Sequence, residues 1–282
     1  MTTWPTDAAI AELVDLDAYP VQDLGSPRGQ HVIAGGRAQL VEMGAAELAG
    51  FVTPAGVTAL TTDAEHLVPR SYQSSGVGSV YLDRPDGQLP AGHPRSWVGP
   101  YSVGAVAYDV IPHPSPLRRL YEWQPLKDLI EAILDRGPIF RYADPFGALN
   151  LAVMRAGDEL QWHFDQADFV VSLAIQSADE GGDFEVAPLV RSPGDERYDD
   201  VAAVLAGDVE RVVTLPMTPG TLLIFEGRHS LHRVSPIKGS RLRHVGLLAY
   251  DTKPDVVGTA LLRKARYGRT DAYPVPPESW PA

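Results

Sequence analysis

The spacing of apolar positions changes character near residue 138 of this 282-residue chain. Before that point helical spacing prevails. Leu126, Leu129, Ile130, Ile133 and Leu134 fall on one face of a helix that Pro125 opens and Gly137 closes. Ser115-Pro116 and Thr53-Pro54 carry the same start signal, a hydroxyl N-cap followed by proline in the first turn, and the second of these predicts a helix to about Leu67. Residues 6–16 predict a short capped helix with Ile10, Leu13 and Val14 on one side. The stretch 25–36 reads as a turn-rich connector, 38–43 as an alternating strand and 101–110 as β-like. Residues 70–97, rich in Gly, Ser, Pro and Asp, read as one long loop and a candidate lid.

After residue 138 the chain becomes a series of short apolar runs separated by Gly, Pro and Asp turns. Strands are expected at 139–142, 148–154, 160–165, 169–176, 183–187, 210–215, 221–225, 229–235 and 242–250, with one helix at 199–205. This pattern predicts a mostly β protein with flanking α-helices: a double-stranded β-helix (jelly roll, cupin-like) core with an N-terminal helical buttress. One domain is expected over 1–282, comprising N-terminal helices, edge strands and the lid-like loop (1–137), the jelly-roll core (138–252) and an extended C-terminal tail (253–282).

Composition narrows the function. A hydrophobic fraction of 44% fits a globular chain, and no apolar run is long enough to span a membrane. The first residues lack the basic and apolar regions of a signal peptide, so a cytoplasmic protein is expected. With no cysteine, disulfides, thiolate metal sites and a cysteine nucleophile are excluded. The net charge of -12 argues against nucleic acid as partner and leaves a small molecule.

Candidate chemistry centres on His163-Phe164-Asp165. In a strand, residues two apart share a face, so an imidazole and a carboxylate can grip one metal ion. His232 offers the third ligand; His229, on the opposite face of its strand, is the rival. Two histidines and one carboxylate form the facial triad of non-haem Fe(II) oxygenases. Nine residues after His232, across the Lys238-Gly239-Ser240 turn, Arg241 presents a bidentate fork suited to a dicarboxylate, with Arg243 as runner-up. Tyr142, Asn150 and Ser172 are candidates to contact that co-substrate. Trp123, Trp162, Asp168 and Glu185 are candidates to contact the organic substrate. Arg263, Lys264 and Arg266 read as a solvated face, and His244 as a satisfied core group.

The set His163-x-Asp165, His232-x-Val234-x-Pro236 and Arg241 resembles the Fe(II)/2-oxoglutarate-dependent oxygenases over residues 140–250. A closer likeness is to the small bacterial enzymes that hydroxylate or halogenate free amino acids, of the lysine halogenase type. It rests on 144–150, 162–165, 181–185 and 230–234 and extends back to about Ser115. The resemblance implies Fe(II) on His163, Asp165 and His232, 2-oxoglutarate anchored by Arg241, and O2 as oxidant. It further implies hydroxylation of an unactivated C–H of a free amino acid or derivative, with release of succinate and CO2. Halogenases of this type carry glycine or alanine where Asp165 stands; its carboxylate therefore favours hydroxylation, with desaturation or ring closure next. The alternatives from other classes are a cupin-like metal isomerase or binding protein without 2-oxoglutarate, and a purely structural metal site.

Overall fold

The computed structural model describes residues 10–83, 88–90 and 92–273. Among them, eleven strands form one antiparallel sheet in the order β1-β10-β7-β12-β5-β3-β6-β11-β8-β9, with β2 paired to β3. The strands are β1 (Ala45–Leu48), β2 (Tyr72–Ser79), β3 (Val98–Val106), β5 (Leu149–Met154), β6 (Glu159–His163), β7 (Val170–Gln176), β8 (Phe184–Ala187), β9 (Val213–Leu215), β10 (Leu222–Phe225), β11 (Leu231–Val234) and β12 (Arg243–Leu248). A separate pair joins β4 (Phe140–Arg141) to β13 (Tyr250–Asp251).

The sheet curls on itself. Val103, Ala152, Met154, Val234 and Val245, with Leu160, Phe184 and Leu247, meet in one apolar cluster although they come from strands at both ends of the ladder. Their alternating neighbours point outwards. Leu149, Leu151, Val153, Val171, Leu173, Ile175, Leu222 and Ile224 join the largest core with Leu60, Leu117, Leu120 and the apolar face 126–134. The helical buttress therefore covers the outer face of one half of the jelly roll, as the two spacings require.

That buttress comprises α1 (Pro27–Met43), α2 (Pro54–Leu67), α3 (Pro116–Glu122) and α4 (Gln124–Leu134); α5 (Tyr198–Leu205) and α6 (Ala260–Tyr267) follow later in the chain. Four expectations need correction. The connector 25–36 and the strand 38–43 are one helix, α1: Ser26 caps it by accepting from Gly29 N, and Gly44 ends it at φ +63. Gly36, which reads as a breaker, lets α1 lie against Ile133, whose Cγ2 is 2.9 Å from where a Cβ would stand. The first half of the 70–97 loop is strand β2, hydrogen-bonded to β3 from Tyr72↔Ala105 to Ser79↔Val98. The tail from residue 253 contains α6, capped by Thr259 accepting from Leu262 N and ended by Gly268 at φ +71. Of the helix expected at 6–16, residues 6–9 lie outside the described residues, and Val14 already bridges to Val52.

Candidate metal centre

His163 ends β6, Asp165 follows it, and His232 lies on β11 directly across from His163 in the antiparallel register. The two imidazole centroids are 4.2 Å apart. Asp165 lies between them, its Oδ1 3.9 Å from His163 Nε2 and its Oδ2 3.5 Å from His232 Nε2. Among the described residues these three are the one group of His, Asp and Glu whose ligand atoms lie within 4.8 Å of one another.

Second contacts fix the chemistry of each donor. His163 Nδ1–H donates to Gln161 O at 2.7 Å and His232 Nδ1–H to Ser230 O at 3.0 Å. Both rings are thereby held in the tautomer that turns a bare Nε2 lone pair inwards, the arrangement metal-ligating histidines adopt. Burial, and then the neighbouring His232, holds His163 well below the ordinary histidine range, so it is neutral at pH 7. Phe225 stands edge-on to the His232 ring at 4.8 Å. Asp165 is placed by its backbone, whose N–H donates to Gly227 O at 2.9 Å. A Cβ on Gly227 would lie 1.8 Å from Asp165 Oδ2, so only glycine fits behind this carboxylate. Two imidazoles and one carboxylate on one side of a shared point are the donor set of a facial triad, and iron fits it.

The arginines separate clearly. Arg241 is exposed, outside the strand, with its Nε 3.4 Å from Asp179 Oδ1 and its backbone N–H donating to Asp179 Oδ2. Gly239, at φ +84, turns the chain here, and β12 starts only at Arg243, so Arg241 belongs to the turn. Arg243 opens the strand and points into the barrel. It is buried, its Nη1 3.8 Å from Met154 Sδ, and no carboxylate among the described residues lies within ion-pair distance. Burial lowers it to about 10, which leaves it charged at pH 7.

The other predicted residues divide likewise. Asn150 is buried, with its Oδ1 accepting from the Tyr267 hydroxyl at 2.6 Å. Tyr142 lines a cavity of about 210 Å³ together with Asn150, Arg266 and Tyr267. Ser172 sits on β7 opposite Leu247 and Leu223. Trp162 points away from the triad, into a cluster with Val80, Phe164 and Leu231 and under the Arg233 guanidinium. Glu185 pairs with Arg233, Asp168 with Arg228, and Trp123 lies in the main core.

A cavity of about 470 Å³ opens beside His163 and Asp165, walled by Val77, Val98, Tyr101, Val103 and Leu160 from the strands, by Leu82 from the turn after β2 and by Leu262 and Arg266 from α6. Arg266, expected on a solvated face, is therefore a wall of the site. Its signal was the helical spacing of Leu262, Arg263, Arg266 and Tyr267 behind the Thr259 cap.

Comparison with known proteins places this geometry. Crystal structures of similar fold include AviO1 from Streptomyces viridochromogenes Tue57, at TM-score 0.55 and 19% identity over 79% of this chain and 96% of that one. The epimerase SnoN from nogalamycin biosynthesis, in complex with Fe3+, alpha ketoglutarate and nogalamycin RO, aligns at TM-score 0.57 and 16% identity over 88% and 95% of the two chains. The alpha ketoglutarate dependent carbocyclase SnoK aligns at 0.53 and 13% identity over 78% and 86%. No curated protein sequence matches the chain. The family described as halogenase D matches residues 97–263, which run from β3 into the first turn of α6 and contain the whole triad. The chain thus belongs to the halogenase D family, on the fold of the iron- and 2-oxoglutarate-dependent oxygenases.

Proposed function

We propose that this protein is an Fe(II)/2-oxoglutarate-dependent hydroxylase acting on an unactivated C–H of a small molecule, an amino acid or its derivative. The observation that carries the reading is the complete triad beside an unpaired cation, Arg243, inside the barrel. Bound iron with 2-oxoglutarate and dioxygen supplies the oxidising power, with succinate and CO2 released. The chain's own part is placement. His163, Asp165 and His232 would hold the ion from one side, and the cavity opens beside His163 and Asp165. Arg243 supplies a guanidinium fork for the far carboxylate of 2-oxoglutarate, in an apolar interior where such a pair is strong. Val103, Leu160 and Phe184 pack with Met154 and make that interior apolar. Asp165 weighs against halogenation despite the family's name, because its carboxylate occupies the position that a halide needs.

Anaerobic addition of Fe(II) and 2-oxoglutarate should give a weak visible charge-transfer band. Arg243→Gln should raise the 2-oxoglutarate concentration needed for half-saturation by at least about 30-fold, the loss expected when one partner of a buried charge pair is truncated. Arg241→Gln should leave it unchanged. The reverse pattern would return the anchor role to Arg241, and no band in metal-loaded protein would favour a cupin-like protein without 2-oxoglutarate.

A further inference from the structure

We propose that Arg266 binds a carboxylate on the organic substrate, so that the enzyme acts on an apolar molecule with one anionic end and no recognised amine. The inference deepens the proposed function and rests on it.

Helix α6 is clamped on both sides of Arg266. Arg263 Nη2 lies 3.0 Å from Asp144 Oδ1, the Tyr267 hydroxyl donates to Asn150, and Arg269 Nη1 donates to Asp109 Oδ2 at 2.7 Å. Each of those three neighbours reaches an acid or an amide. Arg266 has no acid within ion-pair distance among the described residues; its polar neighbour is the neutral Tyr267 hydroxyl, and its Nε is buried without a hydrogen-bond partner. It lines both the cavity that holds His163 and Asp165 and the adjoining one beneath α6. A half-buried guanidinium held rigidly and left unpaired is costly unless an anion completes it.

That anion is distinct from the one read by Arg243. Tyr267, next to Arg266, binds Asn150 at one end of β5, whereas Arg243 contacts Met154 at the other. Four residues of strand separate these points by about 13 Å. Most of the cavity wall is apolar, with Val77, Leu82, Val98 and Leu262 beside the hydroxyls of Ser74, Ser79 and Tyr101 and the amides of Gln161 and Gln166. An ammonium group would find neutral acceptors there but no free carboxylate. Asp165 belongs to the triad, and Asp83 already takes Arg95 Nη1 at 2.9 Å and the Ser79 hydroxyl. The chemistry that fits is an apolar carboxylic acid, including an amino acid whose nitrogen is acylated.

The test uses the iron-loaded full chain with N-acetyl-leucine, N-acetylphenylalanine and 3-phenylpropanoate as probes, each beside its primary amide, with free leucine as a further arm. Succinate formation should accelerate with the acids and not with the amides or free leucine. Arg266→Gln should weaken the response to the acids at least tenfold in apparent affinity, and Arg266→Lys should restore part of it. Half-saturation by 2-oxoglutarate in the anaerobic band should be the same in Arg266→Gln and the parent protein. Equal response to acids and amides, a stronger response to free leucine, or no response to any acid overturns the proposal. So does a loss of 2-oxoglutarate affinity in Arg266→Gln, which would make Arg266 a co-substrate residue. Failure of the parent protein to give the band at all would instead remove the oxygenase reading beneath it.

Discussion

Asp165 is wedged. Its Oδ2 occupies space that any side chain at position 227 would claim, and its backbone is tied to the same loop by the bond to Gly227 O. Gly227→Ala should therefore displace the carboxylate and lower Fe(II) affinity by about ten- to hundred-fold, the usual effect of disturbing the groups that orient a metal ligand. Anaerobic metal titration measures this, and an unchanged affinity would show that the loop yields instead. At this scale the triad was legible, because the two-residue period of a strand puts His163 and Asp165 on one face whatever the surrounding fold. Which of two arginines enters the barrel was harder to read. Arg241 and Arg243 have the same parity, and only the start of β12 separates them, a boundary set by Asp179 capping the turn at Ser240 N and Arg241 N. Trp162 followed the alternation away from the metal.

Elements were legible where apolar spacing and caps agreed. α2, α3 and α4 begin at the proline signals, and the strands of the core lie within a few residues of their expected limits. Two of the failures share a cause: glycine and serine stand where packing against a neighbour requires small residues. β2 reads YQSSGVGS, with polar or small residues on both faces, so its partner β3 rather than its own pattern makes it a strand. α1 contains Gly29, Gly35 and Gly36, two of which permit close approach to neighbouring chain. α6 is too short to be stable alone and depends on its clamps. The buried Asp109 accepts from both Arg269 nitrogens and from Tyr273 N, so Asp109→Ala should loosen the helix. Deuterium uptake should rise across residues 260–269 while β5 and β12 stay protected; equal protection in the variant would mean that Asp144 and Asn150 suffice.

Two buried groups far from the metal act on the stability of the whole molecule in opposite directions. Burial raises Asp63 from 3.8 to about 6, partly offset by the Ser115 hydroxyl donating at 2.5 Å. Its ionised form is the one folding disfavours, so the cost is present above pH 6 and is relieved as pH falls towards 4. Burial, and then Arg155, lowers His244 from 6.5 to about 4, and neither ring nitrogen has a hydrogen-bond partner. Here the unfolded chain takes the proton first, so stability is full above pH 6.5 and is lost as pH falls towards 4. The two effects overlap and offset each other between about pH 4 and 6, so together they leave little net slope there. Asp63→Asn should gain on the order of 1–3 kcal/mol at pH 8 and expose an acid-labile slope. His244→Leu should remove the His244 part of that slope and shift the profile, relative to the parent, towards greater stability on mild acidification. Urea midpoints at pH 5 and pH 8 decide it, and parallel profiles for all three proteins would refute both assignments.

The glycine behind Asp165 also bears on how this chemistry diverges. Trimming the carboxylate would leave a hollow floored by a bare Cα and flanked by two imidazoles already held by their own carbonyls, so no neighbour has to rearrange. An aspartate codon reaches glycine or alanine by one base change. On the proposed function, the step between an oxygen-transferring and a halide-accepting pocket would be a single nucleotide on a scaffold that need not adapt, in keeping with an aspartate-bearing chain in a family named for halogenation.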